Sequence, residues 1–265
     1  MLVGKINKEL SIEMPISQIY RHPTIRDIEK TLVSKDFSEQ PVTLLNRLRP
    51  KKLFCFPDQF GWGYGYKSLA SLLEDYSVYA FVFIEEEDRL SKYVDIIKKI
   101  QPVGPYVIFG HSAAGRLSFE VARALEKRGC EVSDIIFADC VSLEEWDLNV
   151  EKEIIRIGPL LEAFTAEWNA EFIKDKIEKK AKSHMTYLSR GTKSEIINAN
   201  VHLILSEEVR QRNDIDLRCW EKLTTKMSRV YNGWGRHVDM LWGADLEKNV
   251  KIIRKILDGI VFGKE

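Results

Sequence analysis

The stretch YVIFGHSAAGR, residues 106–116, decides how this chain folds. Its first four residues, Tyr106 to Phe109, are aromatic or aliphatic without a break, which suits a strand buried on both faces of a parallel sheet. Small residues follow around Ser112 (Gly110, Ala113, Ala114 and Gly115), and then an amphipathic stretch, Arg116–Arg128, that stops at Gly129. A sharp strand-to-helix turn needs small neighbours because the two backbones approach closely there. Such a turn exposes the Ser112 hydroxyl above the sheet edge. It also sets it at a helix N-terminus, where the dipole and free N–H groups favour an oxyanion. The common form, Gly-x-Ser-x-Gly, has its last glycine where Ala114 stands here, and Gly115 follows at once.

Working outward, the same alternation continues on both sides. Val78–Ile84 (VYAFVFI), Ile135–Ala138 (IIFA) and Val201–Leu205 (VHLIL) are further buried-strand runs. Tyr66–Glu74, Leu90–Ile100 and Leu246–Leu257 join Arg116–Arg128 as helical patterns. Val42–Leu48 and Leu53–Phe56 flank Arg-Pro-Lys-Lys and read as an opening hairpin. Strand alternating with helix predicts an α/β fold, a mostly parallel sheet with helices on both faces. Residues 146–190 break the rhythm with a long, charge-rich helical insertion. Residues 1–40 stand apart as short helices with a polar linker from Ser34 to Pro41. Leu2, Val3, Ile6 and Leu10 share one face there, Ile25, Ile28 and Leu32 another, and His22-Pro23-Thr24 marks a helix start.

Composition limits the function classes. Forty Lys+Arg balance forty Asp+Glu, which argues against nucleic acid as a partner. Apolar residues at 45% and charged residues at 30% match a soluble globular protein. The longest run without a formal charge, Ile100–Gly115, is broken by Pro102, Gly104, Pro105 and His111, so no membrane span is expected. Lys5, Lys8 and Glu9 exclude a secretory leader at the start of this sequence. Four cysteines without metal-type spacing read as reduced thiols and point to the cytoplasm, with no metal site expected.

A serine nucleophile needs a base and an orienting acid. Of five histidines, His22 lies in the N-terminal segment, His202 in a buried-strand run and His184 in the insertion, while His111 adjoins the serine with its side chain expected to turn aside. That leaves His237, in the glycine-rich loop GWGRHVDMLW just before the last helix. Serine first and histidine last is the chain order of α/β-hydrolases. Two positions for the acid stay open on spacing. Asp139 closes the strand after the serine helix, and Glu207 and Glu208 follow the later strand Val201–Leu205, with the glutamates slightly favoured.

Several blocks, in order, resemble one family: LFCFP (53–57), FIEEEDR (83–89), IQPVGPYVIFGHSAAGRLSFEVA (100–122), VSDIIFADC (132–140) and GRHVDMLWG (235–243). They are similar to the thioesterase domains that end non-ribosomal peptide synthetases, of the surfactin and fengycin synthetase type. The likeness runs from about residue 42 to about 258 and fails only in the insertion. Residues 1–33, with INKEL and MPISQIYRHPTIRDIEK, resemble the second half of a peptidyl carrier domain. The resemblance implies an α/β-hydrolase domain at 41–265 with a helical lid at about 146–190, preceded at 1–40 by the end of a carrier domain and its linker. It assigns the acid to Asp139, the nucleophile to Ser112 and the base to His237. It also implies that the oxyanion is held by the backbone N–H groups of Ala113 and Gln59, although Asp58 stands where the family has a second proline.

By the same resemblance no cofactor resides in this chain. The substrate arrives on the phosphopantetheine of an upstream carrier domain, whose serine lies outside this sequence. The activity implied is release of a peptidyl thioester through a peptidyl-serine ester, by hydrolysis or macrocyclisation. Trp146, Phe164, Trp168, Phe172, Met185 and Tyr187 are candidates to line the lid, and Glu171–Lys182 reads as a solvated helix face. Where the surfactin type carries lysines after the acid, this chain has Cys140-Val-Ser-Leu-Glu144-Glu145-Trp146, so Glu144, Glu145 and Trp146 are expected to contact substrate and to favour cationic acyl chains. Two rivals are a stand-alone editing thioesterase and a non-enzymatic carrier-docking module. The carrier-like segment argues against the first, and the intact Ser112, Asp139 and His237 against the second.

Overall fold

The computed structural model of the chain describes residues 2–15, 17–22, 24–35, 37, 39–140, 149–167, 174–190, 195–212 and 218–259. Three short helices open it: α1 (Leu2–Leu10), α2 (Ser17–Arg21) and α3 (Ile25–Ser34). Strands and helices then alternate: β1 (Val42–Leu44), β2 (Lys51–Cys55), α4 (Lys67–Leu72), β3 (Tyr76–Phe81), α5 (Arg89–Ile100), β4 (Tyr106–His111), α6 (Ala114–Lys127) and β5 (Val132–Ala138). After β5 come α7 (Val150–Glu167), α8 (Lys174–Ser189), β6 (Asn200–Leu205), α9 (Glu207–Arg210), α10 (Arg218–Glu221), β7 (Ser228–Asn232) and α11 (Gly243–Leu257). The seven strands form one sheet in the order β1-β3-β2-β4-β5-β6-β7, parallel throughout except for β1.

Side-chain alternation along each strand divides the core into two layers. Phe54, Ile108, Ile135, Phe137 and Leu203 face α5 and α6, which contribute Tyr93, Ile97, Leu117 and Phe119. Leu53, Cys55, Phe109, Ile136 and Ile204 face the other way, toward Leu69 of α4 and Val250 and Ile253 of α11. Burial on both faces is why the strands read as continuous apolar runs.

The opening hairpin does not form. β1 pairs antiparallel with β3, Val42 opposite Phe81, and β2 lies between β3 and β4. Leu53, Phe54 and Cys55 are each fully buried, so β2 needs sheet neighbours on both edges as well as cover on both faces. Asn46 redirects the chain after β1. Its amide nitrogen donates to the carbonyls of Ala70, Leu73 and Tyr76, and its oxygen accepts from the N–H of Val78.

The N-terminal segment packs against the α4–α11 side of the sheet through Val3 of α1, Met14 of the loop after it and Ile28 of α3. The buried stripe of α1 is Val3, Gly4 and Asn7, one position round from the expected face, and Leu2, Leu10 and Ile25 remain exposed. Asn7 explains the rotation: its side chain both donates to and accepts from the backbone of Met14, at 2.9 Å each, and this exchange is buried. The insertion contains α7 and α8 as a packed pair. The α8 face is not simply solvated: Ile177, Lys180 and Ala181 are buried. Lys180 donates to the Phe83 carbonyl at 3.2 Å and lies 3.6 Å from both Glu39 and Glu85, which is what makes its burial tolerable. Among the described residues no helix is long and apolar enough to cross a membrane.

Candidate active site

β4 ends in the turn that carries Ser112, whose φ of 54° lies in the left-handed region. That conformation throws the side chain clear of the sheet, and the Ser112 N–H is held by the Ala138 carbonyl at 2.9 Å. Two glycines allow it. A methyl at Gly110 would meet Ser118 Oγ at 2.7 Å, and one at Gly115 would meet Cys140 Cβ at 2.7 Å. Gly115 therefore lets the end of β5 approach the start of α6. The residue brought in is Asp139, also left-handed at φ 50°.

From the far end of the sheet the loop after β7 supplies His237. Its Nε2 lies 2.8 Å from Ser112 Oγ and its Nδ1 lies 3.1 Å from Asp139 Oδ2. The other carboxylate oxygen of Asp139 accepts the Ser206 N–H at 2.6 Å, and the side chain is fully buried. Glu208 contacts the histidine differently: its Oε2 accepts the His237 backbone N–H at 3.1 Å. Glu207 contributes its own N–H to the Gly235 carbonyl. The imidazole thus meets Asp139, while the two glutamates buttress the loop.

Three further features have no signal in the sequence. Asn249 of α11, buried, accepts the Trp234 N–H and donates to the carbonyls of Trp234 and Met240, each at 2.9 Å, and so clamps both ends of the histidine loop. Tyr66 sits between two strand ends: its hydroxyl donates to the Phe56 carbonyl at 2.7 Å and accepts the His111 N–H at 3.2 Å. His111 does not turn aside. Its ring stacks on that of His237 at 5.0 Å, and its Nε2–H donates to the His237 carbonyl at 3.1 Å. Burial, with the neighbouring His237, pushes His111 down to about 4, so it stays neutral. These contacts join positions from 9 to 126 residues apart through the fold, so no local pattern of the sequence announces them.

Gln59 and Ala113 both line the cavity that opens over Ser112, and neither backbone N–H has a hydrogen-bond partner among the described residues. The cavity measures about 1070 Å³, on the scale of a large ligand. Trp62, Tyr64, Leu160, Met185 and Trp242 give it apolar walls; Asp58, Glu153, Arg156 and Arg236 give it polar ones. Of the candidate lid residues, Met185 lines the cavity. Tyr187 instead points into the body, against Phe83 and the Glu120 carboxylate. Trp146, Trp168 and Phe172, and with them Glu144 and Glu145, lie outside the described residues, as does the side chain of Phe164. Among the described residues no group of three or more His, Cys, Asp or Glu side chains could hold a metal ion.

Residues 51–257 match the model of the thioesterase domain family. The chain belongs to that family. This thioesterase is 33% identical, over 270 residues, to surfactin synthase subunit 3 of Bacillus subtilis (strain 168), a match that covers 96% of this chain and 20% of that protein. It therefore spans about a fifth of that relative's length. A solved thioesterase domain, SrfTE, described as cyclising the lipopeptide antibiotic surfactin, shares 32% identity at a TM-score of 0.74, covering 83% of this chain and 96% of that one. A four-domain non-ribosomal peptide synthetase, holo-AB3403 bound to AMP and glycine, shares the fold at 16% identity and a TM-score of 0.66, over 99% of this chain and 23% of that one. The thioesterase has the α/β-hydrolase fold expected from the sequence, and such domains need no cofactor.

Proposed function

We propose that this thioesterase releases a peptidyl chain from a carrier-bound thioester in non-ribosomal peptide synthesis, through a peptidyl-serine ester, by hydrolysis or macrocyclisation. The observation that carries the reading is the continuous array from Asp139 through His237 to Ser112 Oγ at the floor of a cavity large enough for a peptide. In the first half-reaction Ser112 Oγ attacks the thioester carbonyl as His237 Nε2 takes its proton. Asp139 holds Nδ1–H, which fixes the tautomer and stabilises the imidazolium. The oxyanion forms where the Gln59 and Ala113 N–H groups converge, each donor contributing about 3–4 kcal/mol in hydrolases of this kind. The carrier thiol leaves with the proton from His237. In the second half His237 deprotonates water, or a hydroxyl or amine of the peptide itself, which then displaces Ser112.

In this reading residues 1–40 are the end of a peptidyl carrier domain and its linker, 41–265 the thioesterase domain, and 146–190 its lid. The carrier serine that bears phosphopantetheine would then lie upstream. The fold likeness to the four-domain synthetase, which extends over 99% of this chain, supports that division. The synthetase relatives support the carrier domain and peptidyl thioester as partners. The test is incubation with a synthetic peptidyl thioester followed by intact mass measurement. The wild type should gain the mass of the acyl chain and then release it, whereas Ser112→Ala should gain nothing. An acyl adduct that persists in Ser112→Ala would refute the assignment.

A further inference from the structure

Asp58 lines the same cavity as Ser112 and His237, one residue before Gln59. Its carboxyl is held in place, not swinging in solvent: Oδ1 accepts the Phe60 N–H at 3.0 Å, and the Asp58 carbonyl accepts the Gly61 N–H at 2.9 Å. Oδ2 lies on the Gly65 side of the cavity, where a methyl added to that glycine would sit 3.6 Å from it and 3.7 Å from the Trp242 ring. Among the described residues no lysine or arginine pairs with this carboxyl. The cations nearby are engaged elsewhere: Arg156 with Glu153 at 2.7 Å, Arg236 with Asp239 at 2.6 Å, Lys180 with Glu39 and Glu85. Arg212 is partnered too.

We propose that Asp58 is a specificity-determining residue of this thioesterase, and that it receives a protonated primary amine carried by the peptidyl chain close to the thioester carbonyl. An unpaired carboxyl fixed in a partly desolvated wall gains more from an ammonium group than one in water does. Its neighbour Gln59 supplies an oxyanion donor in the proposed mechanism, so the partner of Asp58 belongs to the acyl residue nearest Ser112. The inference rests on that mechanism and adds the charge of the substrate to it.

The preference depends on pH in a stated direction. Burial pushes the Asp58 carboxyl up to about 7, with the Phe60 N–H opposing. At pH 6 about a tenth of it is ionised and at pH 8 about nine-tenths, so preference for a cation grows as pH rises between them. Other titratable groups face it from the packed elements. Tyr66 stays neutral, pushed up by burial. His184 of α8, pushed down to about 3 by burial, also stays neutral. Glu153 and Arg156 of α7 form a pair, and His237 and Asp139 lie across the cavity.

The experiment compares two thioesters of one peptide that differ only at the residue bearing the thioester, lysine in one and norleucine in the other. Their kcat/KM ratio is measured at pH 6 and pH 8 for the wild type and for Asp58→Asn. Taking the ratio cancels any pH dependence common to both substrates and any general effect of the substitution on the loop. The wild type should favour lysine about tenfold at pH 8 and much less at pH 6, while Asp58→Asn should show a ratio near one at both. If the wild-type ratio is flat with pH, or Asp58→Asn keeps the wild-type ratio, the inference is wrong while the thioesterase mechanism stands. Should the wild type turn over neither thioester, the proposed function itself fails and the inference falls with it. The wild-type pH dependence needs no variant, so a misfolded Asp58→Asn does not shield the inference.

Discussion

Replacing Asp139 by asparagine changes one atom and should cost about 10⁴-fold in kcat. The two carboxylate oxygens do different things: one accepts the Ser206 N–H at 2.6 Å, the other faces His237 Nδ1 at 3.1 Å. An asparagine in the same fully buried place has one acceptor and one donor group. If its oxygen keeps the Ser206 N–H, its NH₂ points at His237 Nδ1. The imidazole must then carry its proton on Nε2, facing Ser112 Oγ, and it can no longer take the serine proton. The opposite flip sets an NH₂ against the Ser206 N–H and leaves buried donors unpaired, at about 1–3 kcal/mol each. The first arrangement is therefore preferred, and it is the inactive one. Glu208→Gln retains an oxygen for the His237 N–H and should lose less than tenfold. Glu207→Gln should lose less than twofold, because the imidazole's hydrogen bonds among the described residues go to Asp139 and Ser112. Thioester turnover and the rate of labelling by a fluorophosphonate would both be followed, since each needs an activated Ser112. Asp139→Asn within tenfold of wild type, or a glutamate variant more damaged than it, would refute the assignment of the acid.

Further expectations follow from other parts of the site. Ser112→Ala should lower the chemical step about a million-fold with an unchanged thermal midpoint, as in other serine hydrolases that lose the nucleophile, and near-normal turnover in the folded variant would count against it. Tyr66→Phe deprives both the Phe56 carbonyl and the His111 N–H of a buried partner. It should cost about 2–4 kcal/mol in urea unfolding and lower kcat more than it alters KM, because those strand ends lead into Gln59 and Ala113. A kcat within twofold of wild type would remove Tyr66 as a positioning residue. His184 is fully buried and is pushed down to about 3, chiefly by burial, with the Asp58 backbone opposing. The unfolded chain binds that proton near 6.5, so the stability tied to its neutral ring is intact above 6.5 and drains away as pH falls toward 3. His184→Phe should therefore flatten the acid side of the stability profile, and urea midpoints at pH 7.5 and 5 with the same spacing as wild type would show otherwise.

The sequence revealed most where local chemistry and burial coincide. The β4 run, the small residues around Ser112 and the amphipathic α6 are one continuous signal, because a doubly buried strand must be apolar and a tight turn must be small. β7 carries no such signal, for the converse reason. It is an edge strand, SRVYN, half-buried at best, so nothing forces an apolar pattern on it. The expected opening hairpin does not form because pairing is a property of the sheet and not of adjacent runs, and the Asn46 side chain that separates β1 from β2 looks like any loop polar residue. Spacing left the acid open between Asp139 and the two glutamates, since both strand ends reach the same edge. What separates them in three dimensions is the imidazole face, to which Asp139 presents a carboxylate while Glu208 reaches only the backbone. Lys180 read as surface charge because its partners, Glu39, Glu85 and the Phe83 carbonyl, are scattered over the chain.

Among the described residues four non-glycine positions hold a left-handed backbone: Ser11, Lys35, Ser112 and Asp139. Glycine would relax each by roughly 1 kcal/mol, less what it adds to the freedom of the unfolded chain. A programme of thermal stabilisation that ranks sites by backbone geometry alone would thus score all four alike. Two of them sit at turns after α1 and α3, where durability and chemistry make no competing claim. The other two end neighbouring strands at the floor of the cavity, where the same relaxation deletes the proposed nucleophile or its proposed orienting acid. Resistance to heat and turnover pull in opposite directions at those two positions, so a more robust version of this enzyme has to be sought at the first pair.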